Sequence, residues 1–315
     1  MINCIHKIAI ALVALVTRLS FVFLLSLPIF AQQVSDTAFT FPIAQPTYPP
    51  GSGPLILIDE AHFNFHTLGG GFKPFGKLLS SDGFRVAPLD QPIINSGILE
   101  GCSILVIANA LNESNQQNWF MPTPSAFAAS EIEVIRSWVA QGGSLFLIAD
   151  HMPFAGAAKN LGAAFGFDWL NGFAFTRPRT WPPSVFKKSD KTLDSGPVTS
   201  SNFGMHPIDS VITFTGSAFR IPPDAIPVLV FHPDHYSLQP DTAWRFTPET
   251  PRQSLAGYYQ GALLEYDKGR IAVFGEAAMF TAQIANGILK AGFNSETAPQ
   301  NAIFLLNVMH WLSGK

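Results

Sequence analysis

Apolar residues come in short unbroken runs along this chain, and the runs end on polar residues or turn signals. Leu55-Ile56-Leu57-Ile58 stops at Asp59, and Ser103 to Ala108 is a second run. Ser144 to Ala149 stops at Asp150. Short runs without polar alternation predict strands buried on both faces. Between them the period changes. A helix is expected over 72–81, closed by Asp82-Gly83 before a strand from Phe84 to Ala87. Ser130 and Glu133 have the capping-box spacing. The helix they predict carries Ile132, Ile135, Trp138 and Val139 on one face, and Gly142-Gly143 ends it. A further helix is expected over 155–165, then late strands from Ala262 to Tyr266 and Arg270 to Phe274, and a last helix over 300–312. Strands alternating with helices imply an α/β fold: a mostly parallel sheet, helices on both faces, right-handed crossovers. From 168 to 251 the rhythm is lost. Only Val211 to Phe214 and Val228 to Phe231 look strand-like there, which predicts an insertion of loops and hairpins.

The N-terminal residues are of another kind. Two apolar stretches flank Thr17-Arg18, and Ala31 precedes Gln32-Gln33. This reads as a signal peptide over 1–31. Arg18 argues against one continuous span, since a charge at mid-bilayer costs about 3 kcal/mol on insertion scales. The expected location is therefore periplasmic or secreted. The alternative is membrane anchorage through an uncleaved leader. Residues 32–53, rich in Pro, Thr and Gln, read as a linker, leaving a single α/β domain over 54–315.

Composition narrows the function classes. Charged residues make up 13% of the chain and net charge is −3, so no basic patch offers itself to nucleic acid. Cys4 belongs to the leader, and Cys102 then stands alone, which excludes an internal disulfide and a Cys-based metal site. Two motifs mislead. Asp59-Glu60-Ala61-His62 imitates the acidic strand end of helicases, and Gly71-Phe-Lys-Pro-Phe-Gly-Lys77-Leu78 imitates a phosphate-binding loop. Leu78 stands where Mg²⁺ needs a hydroxyl, and the two motifs come in the wrong order. NTP hydrolysis is not expected.

What remains is polar density at three strand ends. Asp59, Glu60, His62, Asn64 and His66 follow the first strand and are candidate ligand-binding residues. Asp150 and His151 follow the Ser144 strand, and Glu276 follows the Arg270 strand; these are the candidate catalytic residues. Ligands of open α/β sheets bind outside the carboxyl ends of strands, so the three groups should converge. Carboxylates and imidazoles together suit general acid–base work. They could also hold a divalent metal, with His62, His66 and His151 as ligands. Each residue also has a structural alternative: a loop-fixing hydrogen bond for His62 or His66, a helix cap for Asp150, and a carboxylate tying down amides for Glu276. His232-Pro233-Asp234-His235 reads as a loop, and Phe173, Phe175 and Phe186 as a hydrophobic cluster.

Three segments carry a resemblance: Ile-Asp-Glu-Ala-His-Phe-Asn-Phe-His (58–66), Leu-Ile-Ala-Asp-His-Met-Pro-Phe-Ala-Gly (147–156) and Phe-Gly-Glu-Ala-Ala-Met-Phe-Thr-Ala-Gln (274–283). Together they resemble an uncharacterised bacterial family with a class I glutamine-amidotransferase-like fold. Its distant relatives include a domain of gliding-motility and intraflagellar-transport proteins. The resemblance implies a flavodoxin-like three-layer sandwich over about 54–315 and implies no activity. The elbow that holds a Cys nucleophile in true amidotransferases reads Ala149-Asp150-His151 here, so thiolate-dependent glutamine hydrolysis is not expected. Two functions stay open. One is an exported hydrolase-like enzyme acting on a small saccharide or peptide-type substrate. The other is a non-catalytic domain that binds a small ligand or an envelope protein.

Overall fold

The computed structural model describes residues 33–177, 179–180, 184–200 and 206–315; the expected leader lies outside them. The parallel centre forms where the apolar runs predict strands: β2 (Leu55–Asp59), β3 (Arg85–Leu89), β4 (Cys102–Ala108), β5 (Ser144–Ile148) and β15 (Gly269–Phe274). They lie side by side in the order β3-β2-β4-β5-β15, all parallel. In chain order that is second, first, third, fourth, fifth, so the direction of winding reverses between β2 and β4. At such a switch point the loops diverge to opposite faces and open a crevice at the carboxyl ends of the strands. The sheet then becomes mixed. β14 (Tyr259–Tyr266) pairs antiparallel with β15, and β11 (Ile226–Val230) and β10 (Ala218–Arg220) pair antiparallel with β14. β6 (Asp168–Leu170) pairs with β10 at the edge.

Alternation along each strand divides the core in two. Ile56, Ile58, Ile104 and Val106 face a cluster with Phe75 and Leu78 of α1 (Lys73–Ser81) and Phe304 and Leu305 of α4 (Asn301–Ser313). Leu57, Leu105, Ile107, Leu145 and Leu147 face the other way. There they meet Ile135 and Val139 of α2 (Ala129–Ala140) and Ala155 and Leu161 of α3 (Phe154–Ala163). A one-residue slip in any of these strands would exchange the two faces, so the packing fixes the register.

Two expectations change. The cap of helix α2 is Ala128, not Ser130, and the third helical residue is Glu131. Glu131 Oε2 accepts the Ala128 amide at 2.9 Å. Ala128 has no side-chain acceptor, so only the reciprocal half of a capping box forms. Glu133 instead lies on the exposed face, paired with Arg136 at 2.9 Å.

Residues 33–53 are not a free tether. β1 (Gln33–Ser35) pairs with β16 (Ala282–Ala285), itself paired with β17 (Leu289–Gly292). Tyr48 packs edge-on to Phe84, and the Thr47 amide donates to Asp82 Oδ1 at 2.8 Å. Asp82 Oδ2 in turn lies 2.6 Å from Nε2 of His310, so it joins this segment to α4.

The stretch from 168 to 251 adds further strands. β7 (Phe173–Phe175), β12 (Tyr236–Leu238) and β13 (Arg252–Ser254) make a small sheet. β8 (Ser184–Lys187) and β9 (Ser210–Thr213) pair with each other. Phe173, Phe175 and Phe186 are buried in this region. Asp234 accepts from both His232 and His235, holding its own loop.

Candidate functional site

The carboxyl ends of β2, β4, β5 and β15 form one edge of the molecule, and its polar residues divide into two centres. On the β2 side Asp59 is fully buried. Its carboxylate holds His62 Nδ1 at 2.8 and 2.9 Å, and His62 Nε2 lies 3.0 Å from Glu131 Oε1. Burial works to lower the His62 pKa, but the hydrogen bonds and charges of Asp59 and Glu131 outweigh it, and the imidazole ends above its ordinary value. Glu131 moves the other way. Burial favours its neutral form, but the Ala128 amide, His62 and the Ile93 amide bring its pKa below the usual range. The result is an imidazolium clamped between two carboxylates.

The rest of this loop is equally committed. Asn64 Nδ2 donates to Asp59 Oδ2 at 3.0 Å, and its Oδ1 accepts the His62 amide at 3.0 Å. Glu60 Oε1 accepts the Leu68 amide at 2.6 Å. His66 is an exception. It is buried, stacks on Phe72 at 4.7 Å, and makes no hydrogen bond among the described residues. Burial alone pulls its pKa down to about 3, so it is neutral.

The second centre lies where β5 and β15 end. Asp150, half-buried, accepts the His151 amide on Oδ1 at 2.7 Å and the Ala277 amide on Oδ2 at 3.4 Å. It does not cap α3, whose N-terminus has no side-chain cap. Glu276 is 1% exposed, and its two oxygens accept the Ala278 and Met279 amides at 2.9 and 2.7 Å. Burial first, then the charge of Asp150, raises its pKa well above the carboxylate range, against the pull of those amides. Asn109, at φ 52, links the centres: its Oδ1 accepts the Asp150 amide at 2.9 Å and its carbonyl accepts the Phe65 amide.

His151 occupies the middle of an aromatic shelf. It stacks on Phe173 at 4.4 Å and meets Trp244 edge-on at 4.7 Å. Trp119 lies 6.1 Å away and itself packs on Phe65 and Phe154. Nδ1 donates to the Met152 carbonyl at 2.7 Å. Nε2 has no partner among the described residues and is not sealed from solvent. Trp244 is 52% exposed and Phe65 45%, with Phe120 and Met121 also open. Trp244 (φ 66) and Phe63 (φ 47) hold left-handed backbone, which side chains of their size rarely adopt and which clusters at functional sites.

The three strand ends thus share an edge but do not meet at one point. With strands about 4.8 Å apart, β2 and β5 differ by roughly 10 Å, and β2 and β15 by roughly 14 Å. Asp150 and Glu276 come together; Asp59 and His62 stand apart from them. The proposed metal set of His62, His66 and His151 is not assembled. Both nitrogens of His62 hold carboxylates, His66 lies against Phe72, and His151 Nδ1 holds a carbonyl. No group of three or more His, Cys, Asp or Glu among the described residues has metal-binding geometry. Cys102 offers no thiolate either, since burial, only partly offset by backbone hydrogen bonds, pushes its thiol up to about 12. Glu131, Asn109, Trp119 and Trp244 were not singled out from the sequence. Only Glu131 carried a signal, as an acid in the first turn of a helix.

No protein-family model and no curated protein matches the chain. Among solved structures it is similar to the N-terminal domain of mmIFT52, with a TM-score of 0.58 at 17% identity over 83% of this chain and 98% of that one. A ThuA-like protein from Bacteroides uniformis aligns with a TM-score of 0.45 at 12% identity, over 87% of this chain and 94% of the other. Of these two, the first shows a shared fold and nothing beyond it.

Proposed function

We propose that this chain is a small-ligand-binding domain on a flavodoxin-like sandwich of the class I glutamine-amidotransferase type, and that its ligand lies on the shelf around His151. The parallel strand order and the likeness to the mmIFT52 domain support the fold assignment. The observation that carries the binding reading is how the polar valences are used. Asp59, Glu131 and Glu276 satisfy the protein's own donors. His151 keeps Nε2 free among half-open aromatic rings. Apolar walls with one or two placed polar atoms are the usual composition of a small-molecule site. A saccharide fits this chemistry, because a sugar ring offers an apolar face to Trp244 and hydroxyls to Nε2 and Asp150. Titration with a panel of mono- and oligosaccharides, followed by tryptophan emission, tests it. A saturable change that disappears in Trp244→Ala supports the reading, and a flat response across the panel contradicts it.

A second reading has one observation in its favour. Asp150 is half-open beside a Glu276 whose pKa burial first and the charge of Asp150 second push well up, and two carboxyls held in such unlike surroundings serve as base and acid in hydrolases. Under this reading Asp150 is the base that activates water, and His151 orients the substrate. Turnover of chromogenic glycosides or peptides, lost by about 100-fold in Asp150→Asn, would establish it. The location that suits either function is outside the cytoplasm, which amino-terminal sequencing of exported protein would check.

A further inference from the structure

The aromatic shelf does not end at Phe173. Phe175 stacks on Phe173 at 6.5 Å, and Phe246 packs edge-on to both, at 5.2 and 5.8 Å. Tyr236, opposite Phe175 in the small sheet, lies 6.1 Å from it. The rings therefore run on from His151 and Trp244 over β7 to β12.

Three arginines occupy the far end of this run. Arg179 sits over Phe175 at 4.1 Å and over Phe246 at 5.4 Å. Arg252, on β13, and Arg177 sit over Tyr236 at 4.2 and 5.1 Å. All three are exposed, and none takes part in an ion pair among the described residues. Asp234, two residues before Tyr236, is held by His232 and His235 instead. Other cations of the chain are committed: Arg136 and Lys159 to carboxylates, Arg85 and Arg270 to backbone carbonyls. Acidic residues outnumber Lys and Arg by 22 to 19, so the cluster is not a by-product of a basic composition.

An aromatic ring attracts a guanidinium but gives its N–H groups no lone pair, so cation–π contact leaves those donors for another partner. The one side-chain hydrogen bond in the cluster runs from Arg179 Nε to the Tyr236 hydroxyl at 3.2 Å. It aims the guanidinium and leaves both Nη groups uncommitted. A planar fork of this kind matches a carboxylate. Because the rings already hold the side chains, a ligand loses less affinity to ordering them.

We infer that the ligand of the His151 shelf is an acidic oligosaccharide, whose uronate carboxylates are bound by Arg179, Arg252 and Arg177 while its sugar rings lie on the aromatic run. The inference rests on the saccharide role proposed for the shelf and adds the charge. Asp150 stands at the opposite end from the arginines, where the sugar presents hydroxyls.

The test is calorimetric titration of the full chain with trimers of galacturonate and of mannuronate, with their neutral methyl esters, and with triglutamate. At least one uronate trimer should bind saturably, tenfold or more tighter than its ester, and added salt should weaken the acid but not the ester. Arg179→Ala and Arg252→Ala, both at exposed positions, should each weaken the acid by about tenfold, the loss of one charge-assisted contact, and leave the ester unchanged. A merely structural arginine would weaken both forms alike. Arg179→Lys keeps the charge without the fork and should recover only part of the affinity. Esters or neutral sugars that bind as tightly as the acids overturn the inference and leave the saccharide role of the shelf standing. Triglutamate binding as tightly as the uronates overturns it in favour of an acidic peptide. If no sugar binds, charged or neutral, both fail.

Discussion

His62 and His151 occupy corresponding positions, each in the turn after a central parallel strand, each beside an Asp, each buried. Their chemistry is opposite. His62 has a carboxylate on both nitrogens. His151 spends one nitrogen on a carbonyl and leaves the other open. The first is held as a cation that ties β2 to α2; the second stands among aromatic rings with one nitrogen uncommitted. Polar density at a strand end therefore does not mark a functional site by itself. What marks it is a valence that the protein has not used.

The contrast is broken most forcefully at His62. His62→Ala leaves Asp59 and Glu131 buried without their cation, and should cost about 3–5 kcal/mol. Urea denaturation measures it; a loss below about 1 kcal/mol would remove the structural role. His151→Ala should cost far less stability, because no carboxylate depends on it.

pH separates His62 from His66 by sign. The His62 pKa is raised in the folded state, so its contribution is complete below the unfolded value of 6.5 and is lost as pH rises through the folded value above it. For His66 the folded value falls to about 3, so stability is lost as pH drops from 6.5 toward 3, by at most about 1.4 kcal/mol per pH unit. His66→Phe should flatten that acid limb. An unchanged acid limb would show that His66 titrates freely.

The smallest stability effect belongs to the shelf. Trp244→Ala, at a residue 52% exposed, should change stability by about 1 kcal/mol or less. Ligand affinity should still fall by about tenfold, as expected when an aromatic anchor is truncated. A large loss of stability with unchanged affinity would make Trp244 a packing residue.

The strands and helices around the core were legible because continuous apolar runs and a 3.6-residue period are local signals. So was the placing of Asp59, Asp150 and Glu276 at strand ends. The fate of His62 was not, because its second partner lies 69 residues away. A helix cap displaced by two residues, from Ser130 to Ala128, put the capping acid at Glu131 instead of Glu133, on the face that meets His62. β1, β16 and β17 are only three or four residues long, and β1 is defined only by pairing with a strand far along the chain. Trp119 and Trp244 lie in segments with no periodicity, where only the folded arrangement brings their rings to His151.

The central claim is that the working edge is at His151 and not at His62. Imidazole nitrogen shifts of both residues, followed by NMR in one ¹⁵N-labelled sample while the saccharide panel is added, test it directly. His151 Nε2 should move with saturation while both His62 nitrogens stay fixed. Movement at His62 with His151 unchanged would contradict it.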